Sequence, residues 1–577
     1  MKAVLLSPVL VFLMIVPTAL QPVGVPIHAA TGEVIVSRYN LLRTGVSTDV
    51  GKIVVPTVLW TFATSGLVAV GPLVADANGD GRLEIILGEY KAGDAANGSR
   101  HGYVLDATGR LLYTVPLPYN NAPVAVADLD GDGRPEIVFD EASHYPQPVG
   151  IGFHVFNGED GSPLWSFTTA WLTAEAGFAA SPALADLDGD GRLDLFAGGM
   201  GRYAYALRGT DGSVLWQSGY IEHYVRVSPP IADLDGDGRL EVTIESDAGV
   251  VHTYDAVTGA VRWERDLGYG AAATPPVADL DGDGRLEIVY AHVLEGGIVA
   301  LHGNGSLLWQ SLVHDYAYFS PTIVDVNGDG LPDVVAGDSN DPSVTAYRGT
   351  DGAILWEQRL PGSWAQGNLV AAEIDGDGRM EILVPTTQSL VSLDASTGTV
   401  DWEFPMPSVS GQEPFVRDID GDGHAEILIG AADGRMYVLG PKELRFEPRT
   451  IGYWKHQCTV SAPRGDHLGI PPAYIDAIRS QSRVFANLTT KAEACSILQG
   501  PRGDDMAARA RQQLLALWLN VVSGLVDMEV PIHLKMTSAA TVGQAIAEVE
   551  SILLTPSGRA DLERAKDICD ALNNGMR

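Results

Sequence analysis

The chain has 577 residues, and its 73 acidic residues against 38 lysines and arginines give a formal net charge of −35 at pH 7. This balance excludes nucleic acid as a partner, because phosphate binding requires a basic stripe that the chain lacks. All three cysteines lie beyond residue 450, and residues 31–440 contain none.

The first 30 residues have the pattern of a secretory signal peptide. Lys2 precedes an apolar stretch from Ala3 to Val16, and small residues follow at Ala29 and Ala30. The apolar stretch is too short to span a bilayer, and no later segment is apolar over the roughly eighteen residues that a span requires. A retained membrane anchor is therefore disfavoured. We predict a secreted, extracellular protein without a transmembrane segment.

One pattern recurs along most of the chain, most cleanly as DLDGDGRLEI at 279–288. Its first nine positions follow D-x-[DN]-G-D-G-x-x-[DE], with glutamate at position 1 of one copy. Eight copies, called loops 1 to 8 in chain order, recur at intervals of 45 to 58 residues. They begin at Asp76, Asp128, Asp186, Asp233, Asp279, Asp325, Glu373 and Asp418.

These loops predict calcium sites. Four carboxylates within nine residues repel one another unless a cation lies between them, and Ca²⁺ accepts about six to eight oxygen ligands in irregular geometry. Glycines at positions 4 and 6 permit the positive φ angles that curl a loop around an ion. Ordinary hairpin turns would explain one copy, but not eight at a nearly constant period. We therefore expect up to eight Ca²⁺ ions as cofactors.

The expected ligands are the side chains at positions 1, 3, 5 and 9 and the backbone carbonyl at position 7. The eight loops hold 30 of the 73 acidic residues, which accounts for much of the negative charge. The predicted ligands are Asp76, Asn78, Asp80, Arg82 and Glu84; Asp128, Asp130, Asp132, Arg134 and Glu136; Asp186, Asp188, Asp190, Arg192 and Asp194; Asp233, Asp235, Asp237, Arg239 and Glu241; Asp279, Asp281, Asp283, Arg285 and Glu287; Asp325, Asn327, Asp329, Leu331 and Asp333; Glu373, Asp375, Asp377, Arg379 and Glu381; and Asp418, Asp420, Asp422, His424 and Glu426.

The segments between the loops predict four antiparallel strands per period, called a, b, c and d, with each loop between a and b. In LVSLDASTGTVDW at 390–402, for example, two alternating stretches flank a TG turn, which is typical of a hairpin. Four-stranded units at this period indicate a β-propeller, here with eight blades. The last blade lacks its d strand, so we expect residues 58–62 to supply it and close the ring.

Aromatic residues end the predicted d strands, with Tyr113 in one of them and tryptophan in the other seven. A residue that recurs in every unit favours docking between neighbouring blades over stacking on a ligand. The seven tryptophans are Trp60, Trp165, Trp216, Trp263, Trp309, Trp356 and Trp402.

The alternating strand direction places the a–b and c–d turns on one face of the ring and the d–a and b–c loops on the other. Loops of this second face are rich in aromatic residues and histidine, which suits binding of a glycan or a protein segment. Merely covering the end of the propeller is the alternative role. The candidate ligand-binding residues are Trp171, Tyr220, His223, Tyr224, His314, Tyr316 and Trp364.

A separate helical domain is predicted at 449–577, after a linker at 441–448, because the repeats stop and helical spacing begins. Four segments have this spacing, at 473–482, 504–525, 540–554 and 557–575. The domain is a candidate for contact with a surface partner.

The three cysteines lie in this domain. In an exported protein, Cys458, Cys495 and Cys569 predict one disulfide and one remaining thiol, with the pairing left open. A zinc site that also uses His456 and His467 is disfavoured, because no paired spacing supports it.

The eight loops resemble the FG-GAP or VCBS repeats of integrin-alpha-like propellers, whose blades bind calcium between their first two strands. The segments LRGTDGSVLW at 207–216 and NLLRTGVS at 40–47 are similar to repeats of quinoprotein-type eight-bladed propellers. RTIGYWKHQC at 449–458 is similar to the TPGYWK-type opening of small helical domains in secreted bacterial proteins. For residues 31–440 the resemblance implies fold and calcium, but no particular activity.

The fold class predicted is therefore an all-β eight-bladed propeller with a small all-α C-terminal domain. The favoured function is an extracellular binding or adhesion module for a glycan or protein ligand. The alternative is a polysaccharide lyase or hydrolase acting on the face opposite the calcium loops, although no carboxylate pair or Ser/His/Asp spacing supports catalysis. A quinone-dependent dehydrogenase is disfavoured. The quinoprotein enzymes that the repeats resemble commonly place a vicinal disulfide beside the cofactor, and residues 31–440 contain no cysteine.

Overall fold

The chain forms two units, Met1–Pro441 and Lys442–Arg577, which differ in secondary structure. The computed structural model describes residues 34–576 except 37, 69–70, 91–99, 118–120, 144–150, 170–175, 178–179, 200, 269, 271–272, 293–296, 313–316, 361–363, 409–412, 443–444, 460–468, 501–504, 529 and 531. The predicted signal peptide lies outside the described residues. The described strands belong to the first unit and the described helices to the second.

Four strands precede the first blade: β1 (Ile35–Val36), β2 (Val46–Val50), β3 (Pro56–Ala63) and β4 (Leu67–Val68). Blades 1 to 4 follow as antiparallel meanders. Blade 1 contains β5 (Leu73–Ala75), β6 (Glu84–Leu87), β8 (Arg100–Asp106) and β9 (Leu111–Leu117), and β7 (Glu89–Tyr90) pairs with β4; blade 2 contains β10 (Asn121–Ala127), β11 (Glu136–Ser143), β12 (Ile151–Asn157) and β13 (Pro163–Thr169), and β14 (Ala176–Gly177) pairs with β11; blade 3 contains β15 (Ala183–Ala185), β16 (Asp194–Gly198), β17 (Ala204–Leu207) and β18 (Val214–Gln217); blade 4 contains β19 (Ile231–Ala232), β20 (Glu241–Glu245), β21 (Val250–Asp255) and β22 (Val261–Asp266).

Blades 5 to 8 repeat this plan, and the eight-bladed propeller predicted from the repeats is confirmed. Blade 5 contains β23 (Val277–Ala278), β24 (Glu287–Ala291), β25 (Ile298–His302) and β26 (Leu307–Ser311); blade 6 contains β27 (Thr322–Val324), β28 (Asp333–Gly337), β29 (Ser343–Tyr347) and β30 (Ile354–Arg359); blade 7 contains β31 (Val370–Glu373), β32 (Glu381–Pro385), β33 (Ser389–Asp394) and β34 (Val400–Pro405); blade 8 contains β35 (Phe415–Arg417), β36 (Glu426–Gly430), β37 (Arg435–Pro441) and β3.

The ring is closed by β3, as the missing d strand predicted. This strand pairs antiparallel with β37, and Trp60 lies opposite Val438. The last blade therefore joins strands from the two ends of the first unit, and the outer edge of β37 is covered by another strand.

Burial changes from the middle of each blade to its outer edge. All five residues of β20 and of β28 are buried, whereas exposed and half-buried residues alternate along β22. The b strands lie between two other strands and between neighbouring blades, so both of their faces are covered. The d strands face solvent on one side, which explains their alternating sequence.

Aromatic residues of six d strands dock their blades onto the next through hydrogen bonds, as predicted. Trp216 Nε1 donates a 2.9 Å hydrogen bond to the carbonyl oxygen of Ala256, in the c–d turn of the following blade. Its ring covers Gly259, where an added Cβ would lie 2.5 Å from a ring atom. The same bond joins Trp165 to Gly209, Trp263 to Gly303, Trp309 to Gly349 and Trp356 to Ala395, and Tyr113 bonds to Gly158 through its hydroxyl.

The segment from Arg38 to Ile53, called the axial segment, runs along the inner strands of successive blades, which the sequence did not predict. Its backbone carbonyls accept hydrogen bonds from the inner strands of successive blades. These bonds run from Ile231 N to Leu41 O at 3.3 Å, Val277 N to Leu42 O at 2.9 Å, Ile323 N to Thr44 O at 3.0 Å and Ala371 N to Gly45 O at 2.9 Å. Farther along, β2 pairs in parallel with β31 of blade 7.

Two arginines of this axial segment are fully buried. Arg38 donates to the carbonyl oxygen of Leu369 at 2.7 Å and to that of Pro321. Desolvation by burial lowers the pKa of Arg43 to about 9. Because proline offers no N–H, the inner Ser-Pro segments present carbonyl oxygens that these guanidinium groups satisfy.

The second unit contains six described helices: α1 (Ile451–Gln457), α2 (Pro472–Gln481), α3 (Lys491–Gln499), α4 (Met506–Val522), α5 (Val542–Leu554) and α6 (Arg559–Asn573). The small all-α domain is thereby confirmed, and α1 and α3 are additions to the four predicted segments. Asn520 on α4 joins three helices, because it accepts from Trp454 Nε1 and donates to Asn573, both at 3.0 Å. No helix in the described part of the chain is long and apolar enough to cross a membrane.

Cys458 and Cys495 form a disulfide, which settles the pairing that the sequence left open. Cys569 keeps a buried thiol, and burial raises its pKa. The disulfide removes two thiolates from the zinc site considered above, and His467 of that site lies outside the described residues.

Candidate functional site

Each acidic loop is curled by its own backbone. All sixteen glycines at positions 4 and 6 have positive φ, between 72° and 88°. In loop 4 the carboxylate of Asp233 accepts from the backbone N–H of Asp237 at 3.0 Å and of Gly238 at 2.9 Å. Asp237 in turn accepts from Arg239 N at 2.9 Å. The carboxylates at positions 1 and 5 therefore lie on the inside of the curl.

The carboxylate at position 9 fastens the start of each loop to strand b. One of its oxygens accepts a hydrogen bond from the backbone N–H at position 2, for example from Leu129 to Glu136 at 2.7 Å. This bond occurs in all eight loops, and the other pairs are Ala77 with Glu84, Leu187 with Asp194, Leu234 with Glu241, Leu280 with Glu287, Val326 with Asp333, Ile374 with Glu381 and Ile419 with Glu426.

Loop 2 contains a buried carboxylate oxygen that lacks a partner. Glu136 is fully buried, and among the described residues its Oε1 has no hydrogen-bond partner. Oxygens of Asp128, Asp130 and Glu136 all lie within 4.8 Å of one another. An unsatisfied buried anion beside two further carboxylates is strongly unfavourable without a cation, so these residues fit Ca²⁺.

The second oxygen of the position 9 carboxylate has different partners in the other loops. It accepts from the Asn78 side chain in loop 1, from the backbone N–H of Gly209 in loop 3 and of Gly349 in loop 6, from Arg262 in loop 4, and it contacts His302 in loop 5. The loops therefore differ in whether the second oxygen of the position 9 carboxylate is free to bind a cation.

Burial and neighbouring carboxylates raise the pKa of the position 9 residues. Desolvation, followed by the charge of Asp80, raises the pKa of Glu84 to about 7. Desolvation is also the main reason that the pKa of Glu136 is about 7 and that of Glu381 about 8. A cation that binds these loops would therefore compete with protons for the position 9 carboxylates.

The sequence analysis missed three residues beside the loops. Arg262 donates to Asp237 at 2.7 Å and to Glu241 at 2.8 Å, so a cation of the chain contacts two predicted ligands of loop 4. The charges of Asp375 and Asp377 contribute, after burial and Asp394, to raising the pKa of Asp401 to about 6. His302 is the third, through its contact with Glu287. A usable signal existed: the residue before the d-strand aromatic is leucine in six blades, but Arg262 and Asp401 in the other two.

Contacts across the turns agree with the predicted division of the ring into two faces. Arg208 at the c–d turn of blade 3 donates to Asp188 of loop 3 at 2.8 Å. On the other face, Asp247 in the b–c turn of blade 4 forms an ion pair with Arg226 in the preceding d–a loop at 2.9 Å. The a–b loops thus adjoin the c–d turns, and the b–c turns adjoin the d–a loops.

The described candidates on this second face lie in two different loops. Tyr220 is 59% exposed, His223 is exposed and Tyr224 is half-buried, and all three lie in the d–a loop between blades 3 and 4. Trp364, 44% exposed, lies apart from them between blades 6 and 7. Trp171, His314 and Tyr316 lie outside the described residues.

Two family models match parts of the repeat region. The model described as FG-GAP-like repeat matches residues 76–139 and 325–384. The model described as outer membrane protein assembly factor BamB matches residues 201–325. No curated protein matches the chain. The chain is thus an eight-bladed β-propeller with FG-GAP-like repeats and a BamB-like region.

Solved structures share this fold at low sequence identity. Quinohemoprotein alcohol dehydrogenase from Comamonas testosteroni is 12% identical with a TM-score of 0.51, over 96% of this chain and 97% of its own. A europium-containing methanol dehydrogenase is 12% identical with a TM-score of 0.51, over 72% of this chain and 99% of its own. BamB from Moraxella catarrhalis is 18% identical with a TM-score of 0.46, over 67% and 98%. At such identities the likeness to the two dehydrogenases shows the fold alone.

Proposed function

We propose that this protein is a secreted, calcium-stabilised β-propeller that binds an extracellular glycan or protein ligand on the face opposite the acidic loops. The observation that carries the calcium assignment is the buried, unpartnered Oε1 of Glu136 beside Asp128 and Asp130. Extracellular calcium is abundant enough to occupy sites of modest affinity, with Kd of ~10⁻⁴ to 10⁻³ M.

In each loop the side chains at positions 1, 3, 5 and 9 and the carbonyl at position 7 would hold the ion. Bound calcium supplies positive charge to a cluster of carboxylates that otherwise repel one another. Because every loop begins at an inner strand and ends at strand b, neutralising the loop stabilises the centre of its blade. The ions therefore stabilise the propeller, and the ligand binds on the opposite face.

Removal of calcium tests the first part of this proposal. At tenfold excess over Kd each site contributes about 1.4 kcal/mol, and eight independent sites contribute roughly 11 kcal/mol, within the ~5–15 kcal/mol of a typical domain. We expect excess EDTA to lower the melting temperature markedly, and added Ca²⁺ but not Mg²⁺ to restore it. An unchanged melting curve would rule out calcium sites that matter for stability.

Binding and cleavage are separated by two assays on the same calcium-loaded protein. A glycan array reports binding, and measurement of reducing ends or unsaturated products on the bound glycans reports a hydrolase or a lyase. We expect retention without product. Secretion is tested by the N-terminal sequence of protein recovered from culture medium, which should begin near residue 31.

A further inference from the structure

A cluster of tyrosines and arginines lies over blades 3 and 4 on the face opposite the acidic loops. Arg202 and Tyr203 come from the b–c turn of blade 3, and Tyr220, Tyr224 and Arg226 come from the d–a loop that follows. The rings of Tyr203 and Tyr220 meet edge to face, with centroids 5.8 Å apart. We call these five residues the tyrosine-arginine platform.

Arg202 is the centre of this platform, and its hydrogen-bond partners are all neutral. Its Nη1 donates to the hydroxyl of Tyr220 at 2.8 Å and to the carbonyl oxygen of Glu222 at 2.9 Å. Its guanidinium carbon lies 4.8 Å from the centroid of the Tyr224 ring. Within the described part of the chain no carboxylate forms an ion pair with Arg202, although the net charge is −35. The positive charge of Arg202 is therefore available to an external anion.

The backbone at Arg202 has a conformation that side chains other than glycine rarely adopt. Its φ is 67°, in the left-handed region. The turn is closed by hydrogen bonds from Arg202 N to Gly199 O at 3.1 Å and from Gly199 N to Tyr203 O at 2.8 Å. Left-handed backbone at a residue other than glycine lowers the stability of the fold. Residues with such strained backbone are frequent at binding sites.

A second arginine lies near the same ring and is held by an acid. Arg226 lies 5.5 Å from the Tyr224 centroid and pairs with Asp247 at 2.9 Å. Asp247 N also donates to Tyr224 O at 2.8 Å, so the b–c turn of blade 4 fixes the loop that carries the platform. Glu222 is the other nearby acid, and its side chain is exposed. The platform thus presents one uncompensated guanidinium on a rigid aromatic base.

We propose that this platform binds a uronic acid residue of an acidic polysaccharide. The carboxylate of the sugar would accept a hydrogen bond from Nη2 of Arg202, because Nη1 already donates twice and Nε is buried. The C–H face of the sugar ring would pack on Tyr220, the exposed ring. Peptides are instead recognised at sheet edges, in apolar grooves or by clusters of arginines. The platform has no sheet edge or apolar groove, and its second arginine, Arg226, is paired with Asp247. The proposal rests on the proposed function, since it names the ligand class for the same face.

Calorimetric titration of the full, calcium-loaded chain tests this assignment. The probes are tetrasaccharides of glucuronate, galacturonate and mannuronate, each compared with its methyl ester, which keeps the sugar and loses the charge. We expect at least one acid to bind about tenfold or more tightly than its ester, since a hydrogen bond between two charged groups is stronger than one to a neutral acceptor. Equal binding of acid and ester, or binding of none of the three acids, overturns the proposal.

Three variants locate the site. Arg202→Met and Tyr220→Ala should each weaken binding of the acid at least tenfold, and Arg202→Met should remove the difference between acid and ester. Arg359→Met is the matched control, because Arg359 is an exposed arginine of blade 6 that is paired with Asp341 at 2.8 Å. It removes the same charge and should bind as the wild type does. Wild-type affinity in Arg202→Met would contradict the proposal.

Further readouts separate this proposal from the wider function. The calcium dependence of the melting temperature should be the same in all variants, so a failed calcium assignment and a failed platform give different results. An acidic peptide with the same charge as the tetrasaccharides should bind at least tenfold more weakly than the best acid. A peptide that binds as well and competes with the sugar would replace the saccharide assignment with a protein ligand.

Discussion

The Nη2 atom of Arg43 donates a 2.6 Å hydrogen bond to the carbonyl oxygen of Pro182, which links the axial segment to blade 3. The same guanidinium donates to Ser181 and to the carbonyl oxygen of Pro229 at the entrance of blade 4. Arg43 is fully buried, so its guanidinium group, and not water, satisfies these carbonyl oxygens. The axial segment therefore satisfies backbone groups that the blades by themselves leave open.

Arg43→Met should destabilise the propeller by about 2–4 kcal/mol. Each carbonyl left without a donor costs ~1–3 kcal/mol, and relief from burying a cation offsets part of this loss. Urea denaturation in saturating calcium measures the free energy of unfolding. Arg359→Met, a change of equal charge at an exposed position, should alter it by less than about 0.5 kcal/mol. Equal stability of the two variants would show that the axial arginine is dispensable.

The eight loops should release calcium in a defined order. Asn78 and Asn327 each replace a carboxylate, and fewer charged ligands give weaker binding. In loop 1 the Asn78 amide also donates to Glu84 Oε1 at 3.0 Å, which occupies a ligand oxygen. We expect loops 1 and 6 to empty first, as anomalous scattering from crystals at limiting calcium would show. Equal occupancy of all eight loops would contradict this ranking.

Loop 4 should bind calcium more tightly once Arg262 is removed. The arginine contacts Asp237 and Glu241, so it competes with the ion for two of the expected ligands. Arg262→Leu introduces the residue found at this position in six other blades, and it should raise calcium occupancy of loop 4 at limiting calcium. Arg265→Leu is the control, because Arg265 lies on the same strand and contacts the carbonyl oxygen of Gly305 instead. Unchanged calcium occupancy of loop 4 in Arg262→Leu would show that the arginine does not compete with calcium.

The calcium-free protein should lose stability as the pH rises from about 5 to 8. Burial raises the pKa of Glu136 to about 7 and that of Glu381 to about 8, above the usual value of 4.5. In this range the folded state binds more protons than the unfolded state, so raising the pH lowers the free energy of unfolding. Thermal melts in EDTA at several pH values measure this slope. Saturating calcium should abolish it, and a calcium-free protein that is most stable at pH 8 would refute the prediction.

The repeat tryptophans should matter for stability and Trp364 should not. Trp309 is 6% exposed and bonds to Gly349, so Trp309→Ala should cost ~3–5 kcal/mol through the cavity that it leaves. Trp216, the d-strand residue of blade 3, is only half-buried and should cost less. Trp364→Ala removes an exposed ring and should change stability by about 0.5 kcal/mol or less. If thermal denaturation finds Trp309→Ala and Trp364→Ala equally damaging, Trp364 belongs to the core.

Repetition made the propeller readable from the sequence. Each loop and each hairpin is a signal within about fifteen residues, and eight copies remove the ambiguity of any one. The d strand missing after Gly440 even predicted that the strand around Trp60 closes the ring. The ligand role of positions 1, 3, 5 and 9 stays a prediction, and it rests on the same repetition, because side-chain alternation and glycine spacing recur in every loop.

Only the tertiary structure decided the contacts of the axial segment and of the residues beside the acidic loops. Arg38 meets Leu369 and Pro321 across 331 and 283 residues, and no local pattern records such contacts. Arg262 and Arg202 are single departures from the repeat. Their roles depend on which residues lie beside them in the folded ring. The sequence by itself determines the repeated part of this protein, since each unit carries its own signal. The unrepeated contacts, including the axial arginines and the tyrosine-arginine platform, exist only once the ring has closed.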